Sequence, residues 1–306
     1  MTGARGMLPP TMRFVERDWL SSNGVMFDDG STTALVDSGY AKHADTTAAV
    51  VAHLLGGRPL DRLVNTHLHS DHCGGNATLQ RAHGCRTLIP AASASAVRDW
   101  DAARLTFEDT GQRCERFGFD GTLDDGDTIE LGGLAWRAIA APGHDPDALV
   151  LHCASERILI SADALWEHGF GVIFPELDAE SGFAEQRAIL ERIATLDVRL
   201  VIPGHGPMFT DVRGALGRAH ARLDHLAADP ARNARHAVKV LLKFLLLEHE
   251  RVPLAQVPAL VASIPLATRA SRRFLGMAPE ALAGWAADAL VASGAAAIDG
   301  DALANR

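Results

Sequence analysis

The 306-residue sequence predicts an α/β fold in which two sheets pack face to face with helices outside, continued by a helical extension. Three observations carry this. Short strand patterns come in two batches, one before residue 90 and one between 128 and 202, with amphipathic helical segments among them. Turns bearing His or Asp follow several of those strands, at His67, His144, Asp163 and His205. Beyond Asp211 the chain turns Ala/Leu-rich and helical, broken by Pro230, Pro253, Pro258, Pro265 and Pro279.

Taken in order, 14–19, 24–28 and 33–37 read as strands parted by Gly and Asp turn residues. Residues 44–55 form a helix closed by Gly56-Gly57, and 61–65 a strand running into a His-rich loop. Residues 76–83 read as a helix, 86–89 as a strand and 91–104 as a further helix. The second batch holds strands at 128–131, 134–140, 148–153 and 157–161. A helix follows over 180–196, on Phe183, Ile189, Ile193 and Leu196, then a last strand at 199–202. The expected division is a sheet-bearing unit over 1–212 and an extension over 213–306. The extension ends in a helix at 281–293 and a small β-turn near Gly300, as in a winged-helix unit.

A chain that is 47% apolar has ample material for a core, so disorder is not expected. Its net charge of −9 opposes binding to a phosphate backbone, which needs a basic field. Residues 1–10 hold no apolar run suited to a signal peptide. The most apolar stretch, 238–247, carries Lys239 and Lys243, so no membrane span is expected. Cys73, Cys85, Cys114 and Cys153 lack C-x-x-C spacing and read as reduced thiols, which places the protein in the cytoplasm. The expected partner is a small-molecule substrate rather than nucleic acid or membrane; a homodimer is left open.

Three His and one Asp fall within six residues, His67-Leu68-His69-Ser70-Asp71-His72. Imidazole nitrogens and carboxylate oxygens are the natural ligands of zinc and similar ions. In a loop at a strand end, alternate residues face one side, so His67 and His69 can reach one ion while Asp71 and His72 reach a neighbour. Gly74-Gly75 then allows a sharp turn into the next helix. His144 in Pro142-Gly143-His144, Asp163 in Ser161-Ala162-Asp163 and His205 in Gly204-His205-Gly206 each sit just past a strand. His152, His168, His220, His225, His236 and His249 lack such surroundings and read as surface or core residues. Cys73 has no partner base and reads as a small buried thiol.

The order H-x-H-x-D-H, then G-H, then Asp after a strand, then G-H-G, over about residues 14–210, resembles the metallo-β-lactamase-fold hydrolases. The resemblance implies an αβ/βα four-layer sandwich with metals at one edge. It assigns His67, His69 and His144 to one ion and Asp71, His72 and His205 to another, with Asp163 bridging. Zinc is the favoured ion, with iron and manganese also compatible. Helical C-terminal extensions, some winged, occur in relatives and often cover the active site. Two such ions would hold a shared water, lower its pKa and let the hydroxide attack a carbonyl or phosphorus, with Asp71 as proton acceptor or shuttle.

The expected reaction is cleavage of a small ester, thioester or lactone. Where many relatives continue the G-H motif with a hydroxyl residue and a glycine, this chain has Asp145-Pro146-Asp147, which alters the surroundings of His144. The segment 164–175 offers Trp166, Phe170 and Phe174, as a pocket wall or as ordinary core. Arg232, His236, Lys239 and Lys243 share one helix face. The favoured reading is a solvated stripe; were that face to overhang the metals, Lys239 and Lys243 would bind a substrate carboxylate or phosphate. Alternatives are a nuclease or phosphodiesterase, an iron dioxygenase using His67, His69 and His144, and a regulatory protein that keeps the metal centre. β-Lactam hydrolysis comes last, because export is not expected.

Overall fold

The computed structural model describes residues 6–178 and 180–306. The first sheet carries β1 (Met12–Val15), β2 (Gly24–Asp28), β3 (Thr33–Val36), β4 (Arg62–Val64), β5 (Arg86–Pro90) and β6 (Gly121–Leu123), side by side in chain order. The first three run antiparallel, and β3 to β6 run parallel. Parallel neighbours need crossover connections. These contain α1 (Ala44–Leu55), then α2 (Ser70–Cys73) and α3 (Asn76–His83), then α4 (Ala94–Asp99). The second sheet holds β7 (Thr128–Leu131), β8 (Leu134–Ala140), β9 (Leu149–Cys153), β10 (Ile158–Ala162) and β11 (Leu200–Pro203), in the order β11-β10-β9-β8-β7. Its one parallel pair, β10 and β11, is joined through α5 (Phe183–Ala194).

Side-chain alternation sets the layers. On β2, Val25 and Phe27 point between the sheets and meet Trp136, Ala138, Leu151 and Ile160 of the second sheet. Phe27 and Trp136 pack edge to face at 5.5 Å. Met26, between them in sequence, points the other way, with Leu35 and Leu63, onto Val51, Leu55 and Leu79 of the outer helices. Ile139, Val150 and Leu159 do the same on the far side against Ile189 and Ile193. Helices, sheet, sheet, helices: this is the expected four-layer sandwich.

The composition changes at residue 212, but the packing changes later. α6 (Val212–Ala227), capped by the Asp211 side chain on Gly214 N–H, buries Ala215, Ala219 and Leu223 in the cluster shared with α5 and the second sheet. From α7 (Pro230–His249) onward the chain builds its own core with α8 (Val257–Ala262), α9 (Pro265–Ala270) and α10 (Pro279–Ala292). This region is helical but not wholly so. β12 (Arg251–Pro253), β13 (Ala296–Asp299) and β14 (Ala302–Asn305) form a small antiparallel sheet ordered β12-β14-β13. The terminal turn is therefore a hairpin between β13 and β14, with Gly300 at φ +62°.

The helix expected over 91–104 is shorter, because Trp100 adopts the left-handed conformation (φ 54°) that ends α4. The short strands β6 and β12 were not foreseen.

α7 is tied to the sandwich through one acidic side chain. Glu248 is almost fully buried; its Oε2 accepts from Tyr40 Oη (2.7 Å) and its Oε1 from Arg113 Nε (2.6 Å). Phe244 stacks edge-on to the Tyr40 ring at 4.9 Å. Replacing Glu248 by Ala strands the buried phenol and should cost roughly 2 kcal/mol. Chemical denaturation would read this as a lower midpoint; an unchanged midpoint would deny the tether.

Candidate metal centre

The His-rich segment leaves β4 at Val64 and is held from below. Asn76 Nδ2 donates to Asn65 Oδ1 (2.7 Å), Ser38 Oγ donates to Asn76 Oδ1 (2.7 Å), and Ser38 N–H reaches His72 O (2.8 Å). The fit leaves no room at Gly75, where a Cβ would stand 2.5 Å from Ser38 O. His144 follows β8, Asp163 follows β10 and His205 follows β11. The β10–β11 register shifts between Ile160 and Ala162, with Ala162 at φ 45°, just before Asp163. Five of the seven sequence-predicted ligand residues thus follow strand ends, whereas Asp71 and His72, expected in the loop, sit on the short helix α2.

They converge. The donor atoms of His67, His69 and His144 lie within 4.8 Å of one another, as do those of His67, His72 and Asp163 and those of Asp71, His72 and His205. His69 Nδ1 and His144 Nε2 are 2.8 Å apart, and His205 Nε2 is 3.0 Å from Asp71 Oδ2. Asp163 lies between the sets: Oδ2 is 3.3 Å from His144 Nε2, while Oδ1 is 3.4 Å from His72 Nε2 and 3.9 Å from His205 Nε2. Gly204 keeps this approach open, since a Cβ there would strike Asp163 Oδ1.

Outer hydrogen bonds aim the rings. His144 Nδ1 donates to Val172 O (2.5 Å), leaving Nε2 with a free lone pair. Asp37, which the sequence reading treated only as a strand end, orients two more. His72 Nδ1 donates to Asp37 Oδ2 (2.8 Å), and Thr66 Oγ1 donates to the same oxygen (2.7 Å). With its proton so committed, Thr66 Oγ1 accepts from His67 Nδ1 (3.2 Å). The inward nitrogens His67 Nε2 and His72 Nε2 are buried without any hydrogen-bond partner. Buried unpaired nitrogens are costly, and divalent cations would satisfy them. The donor set fits such ions.

Electrostatics agree. Burial holds His67 well below the ordinary histidine value and brings His69 and His144 down to about 4, so these rings are neutral near pH 7. Burial works against charge on His72 too, but Asp37, Asp163 and Asp71 outweigh it and hold that ring well above its ordinary value. Asp163 is held far down by His205, His72 and His144 against the opposing effect of burial. The altered turn after His144 also finds its place. Asp145 Oδ2 lies 3.4 Å from the outer nitrogen, Nε2, of His69, and burial, then Asp147, push Asp145 up to about 6.

A cavity of about 680 Å³ opens on the cluster, lined by Asp71, His69, His144, Asp163 and His205 on one side and by α7 on the other. Trp166 and Phe174 line it: Trp166 Nε1 donates to Asp163 Oδ1 (3.2 Å), and Phe174 meets the His69 ring edge-on at 5.3 Å. Phe170 does not. It is fully buried in the core shared with α5 and α6, where the Arg222 guanidinium covers its ring. The helix face expected to be solvated instead overhangs the site: His236, Lys239 and Lys243 all line the cavity. Arg232 does not share that place; it bonds His225 O. Lys243 is already engaged, donating to Ala295 O (2.7 Å), Asn305 Oδ1 (2.5 Å) and Arg306 O (2.9 Å). Sequence reasoning missed Trp19, 55% exposed at the cavity edge and stacked on the His205 ring at 5.3 Å. Cys73 is buried as expected, with its Sγ 3.8 Å from that of Cys114. Among the described residues no helix is long and apolar enough to cross a membrane.

A four-layer sandwich with a converging His/Asp cluster at its strand ends defines a class, and comparison with known proteins agrees. The model of the metallo-beta-lactamase superfamily matches residues 17–205, and the chain belongs to that superfamily of hydrolases. It is similar to the hydroxyacylglutathione hydrolase of Acidiphilium cryptum, 33% identical over 187 residues, which are 61% of this chain and 65% of that protein. It is also similar to a beta-lactamase-like protein 2 homolog of Caenorhabditis elegans, 25% identical over 76% of this chain and 67% of the relative. The chain spans only 38% and 51% of the hydroxyacylglutathione hydrolases of Hyphomonas neptunium and Rhodopseudomonas palustris that it matches. A metallo-beta-lactamase family protein of Thermus thermophilus shares the fold at TM-score 0.58 and 19% identity, covering 97% of this chain and 99% of that one.

Asp37→Ala removes the acceptor that aims both His67 and His72. Zinc affinity, read by competition with a chromophoric chelator, should drop about 10- to 100-fold. Wild-type affinity in a folded Asp37→Ala protein would deny Asp37 that role.

Proposed function

We propose that this hydrolase cleaves a small ester, thioester or lactone in the cytoplasm, using two divalent ions, zinc foremost. The observation that carries the reading is the pair of converging donor sets with Asp163 reaching both. In this reading His67, His69 and His144 would hold one ion and Asp71, His72 and His205 the other, with Asp163 available to both. When bound, such ions polarise the attacked carbonyl and supply a water of lowered pKa. The rest falls to the chain. Asp71, whose carboxylate faces the cavity beside His205, accepts and passes on the proton. Trp166 steadies Asp163 through its indole N–H, and Phe174 with Trp166 offers an apolar wall to the acyl part.

An acyl substrate is supported over a phosphodiester by the relatives named for hydrolysing hydroxyacylglutathione, and by the net charge of −9. We further propose that the catalytic unit extends through α6, which packs on the sandwich, and that α7 onward forms a cover.

A panel of esters, thioesters and lactones should reveal turnover that is abolished by chelator and reduced at least about a hundredfold by His69→Ala. A fully metal-loaded protein that turns over none of them would overturn the proposal. Asp37, Asp163 and Asp71 outweigh burial and raise His72 above its ordinary value, so zinc competes with a proton for that ring. Affinity should rise with pH, and calorimetry in buffers of different ionisation enthalpy should register about one proton released per chain at pH 7. Buffer-independent heats would contradict His72 as a ligand.

A further inference from the structure

The cavity carries a second chemical feature away from the His/Asp cluster. Arg222 on α6 and His236 and Lys239 on α7 share one stretch of its wall. Arg222 Nη2 donates to His236 Nε2 (2.7 Å), and the guanidinium covers the Phe170 ring at 5.3 Å. Burial, then Arg222 and Lys239, bring His236 down to about 3, so it accepts this bond as a neutral imidazole. Burial also lowers Arg222 from its ordinary value. Among the described residues neither Arg222 nor Lys239 has a carboxylate within ion-pair distance. Apart from Asp71 and Asp163, the carboxylate lining the cavity is Glu167, which lies 3.8 Å from His168. Two cations thus stand on a largely apolar wall without an ion-pair partner. Such an arrangement is unfavourable for the protein alone and favours a ligand that brings the charge.

The chain sets the distance from the cluster. A Cβ at Gly169 would stand 3.0 Å from Arg222 Cδ and Nη1, while a Cβ at Gly171 would strike the His144 ring. The segment that backs the guanidinium therefore also backs a predicted metal ligand two residues later, and two residues span at most about 7 Å. Val172, Phe174 and Val240 line the same cavity and suit a short alkyl chain. Arg222 spends one N–H on His236; the planar fork that remains matches the two oxygens of a carboxylate.

We propose that Arg222 and Lys239 form a carboxylate subsite, which selects acyl substrates bearing a carboxylate a few bonds from the carbonyl that reacts. The selection of substrates rests on the hydrolase reading above; the binding of the carboxylate does not. The test therefore uses equilibrium binding as well as turnover. Calorimetry on the metal-loaded full chain compares adipate with hexanoate, which share a chain length and one carboxylate but differ in the second. Adipate should bind about tenfold tighter, and Arg222→Gln and Lys239→Met should each remove most of that ratio. Arg222→Lys, which keeps the charge, should retain part of it and guards against a variant that fails to fold. Equal affinity for the two acids in the wild type, or a ratio that survives in both charge-removing variants, would overturn the proposal. An intact ratio without hydrolysis of any ester would instead count against the hydrolase reading alone. Where esters are turned over, the ω-carboxylated member of a matched pair should show the higher kcat/KM, through a lower KM.

Discussion

Five imidazoles and two carboxylates share a few ångströms of space at the ends of two sheets, mostly out of reach of water. Packing so many ionisable groups together is unfavourable unless each proton has an assigned place. Here the assignments come from outside the cluster. Asp37 takes protons from His72 and from Thr66, Thr66 then takes one from His67, and Val172 takes one from His144. The bonds made by the three imidazoles each turn the other ring nitrogen inward. The result is a crowd of ligand atoms facing one another, with His67 Nε2 and His72 Nε2 left unpaired, which a packed polar core would avoid and a cation site accommodates.

The rest of the architecture serves that arrangement. Sites anchored on strands are held more precisely than sites on free loops, and the ligand-bearing turns are fixed further by close backbone approaches at Gly75 and Gly204. The opposite wall is of another kind. α7 is not part of the sandwich; it is docked by Glu248 on Tyr40 and Arg113 and by Phe244 on the Tyr40 ring. Chemistry on rigid strand ends and selection on a docked helix leave substrate choice free to change without disturbing the donor set.

The layered fold was legible because β2 is an apolar run bounded by Gly and Asp turn residues and α1 and α3 carry clean end signals; their boundaries match 24–28, 44–55 and 76–83. The seven clustered residues were legible because chemistry-bearing types fell one after another at strand ends. What escaped depends on distant pairing. β6 and β12 are three-residue strands whose only evidence is a partner far along the chain. Asp37 read only as a strand end, and its part as acceptor exists only once β3 and β4 lie side by side. The direction of the Lys239 face was misjudged for the same reason: periodicity defines a face, whereas tertiary docking decides what it meets. Phe170, adjacent in sequence to cavity residues, went to the core.

The central claim is that these seven side chains form one two-ion site. Elemental analysis of protein purified without chelators and dialysed against a zinc-buffered solution tests it most directly. The account predicts about two equivalents of divalent metal per chain, falling to about one when Asp71 and His205 are both replaced by Ala. A single equivalent in the wild type, unchanged by that double substitution, would contradict it.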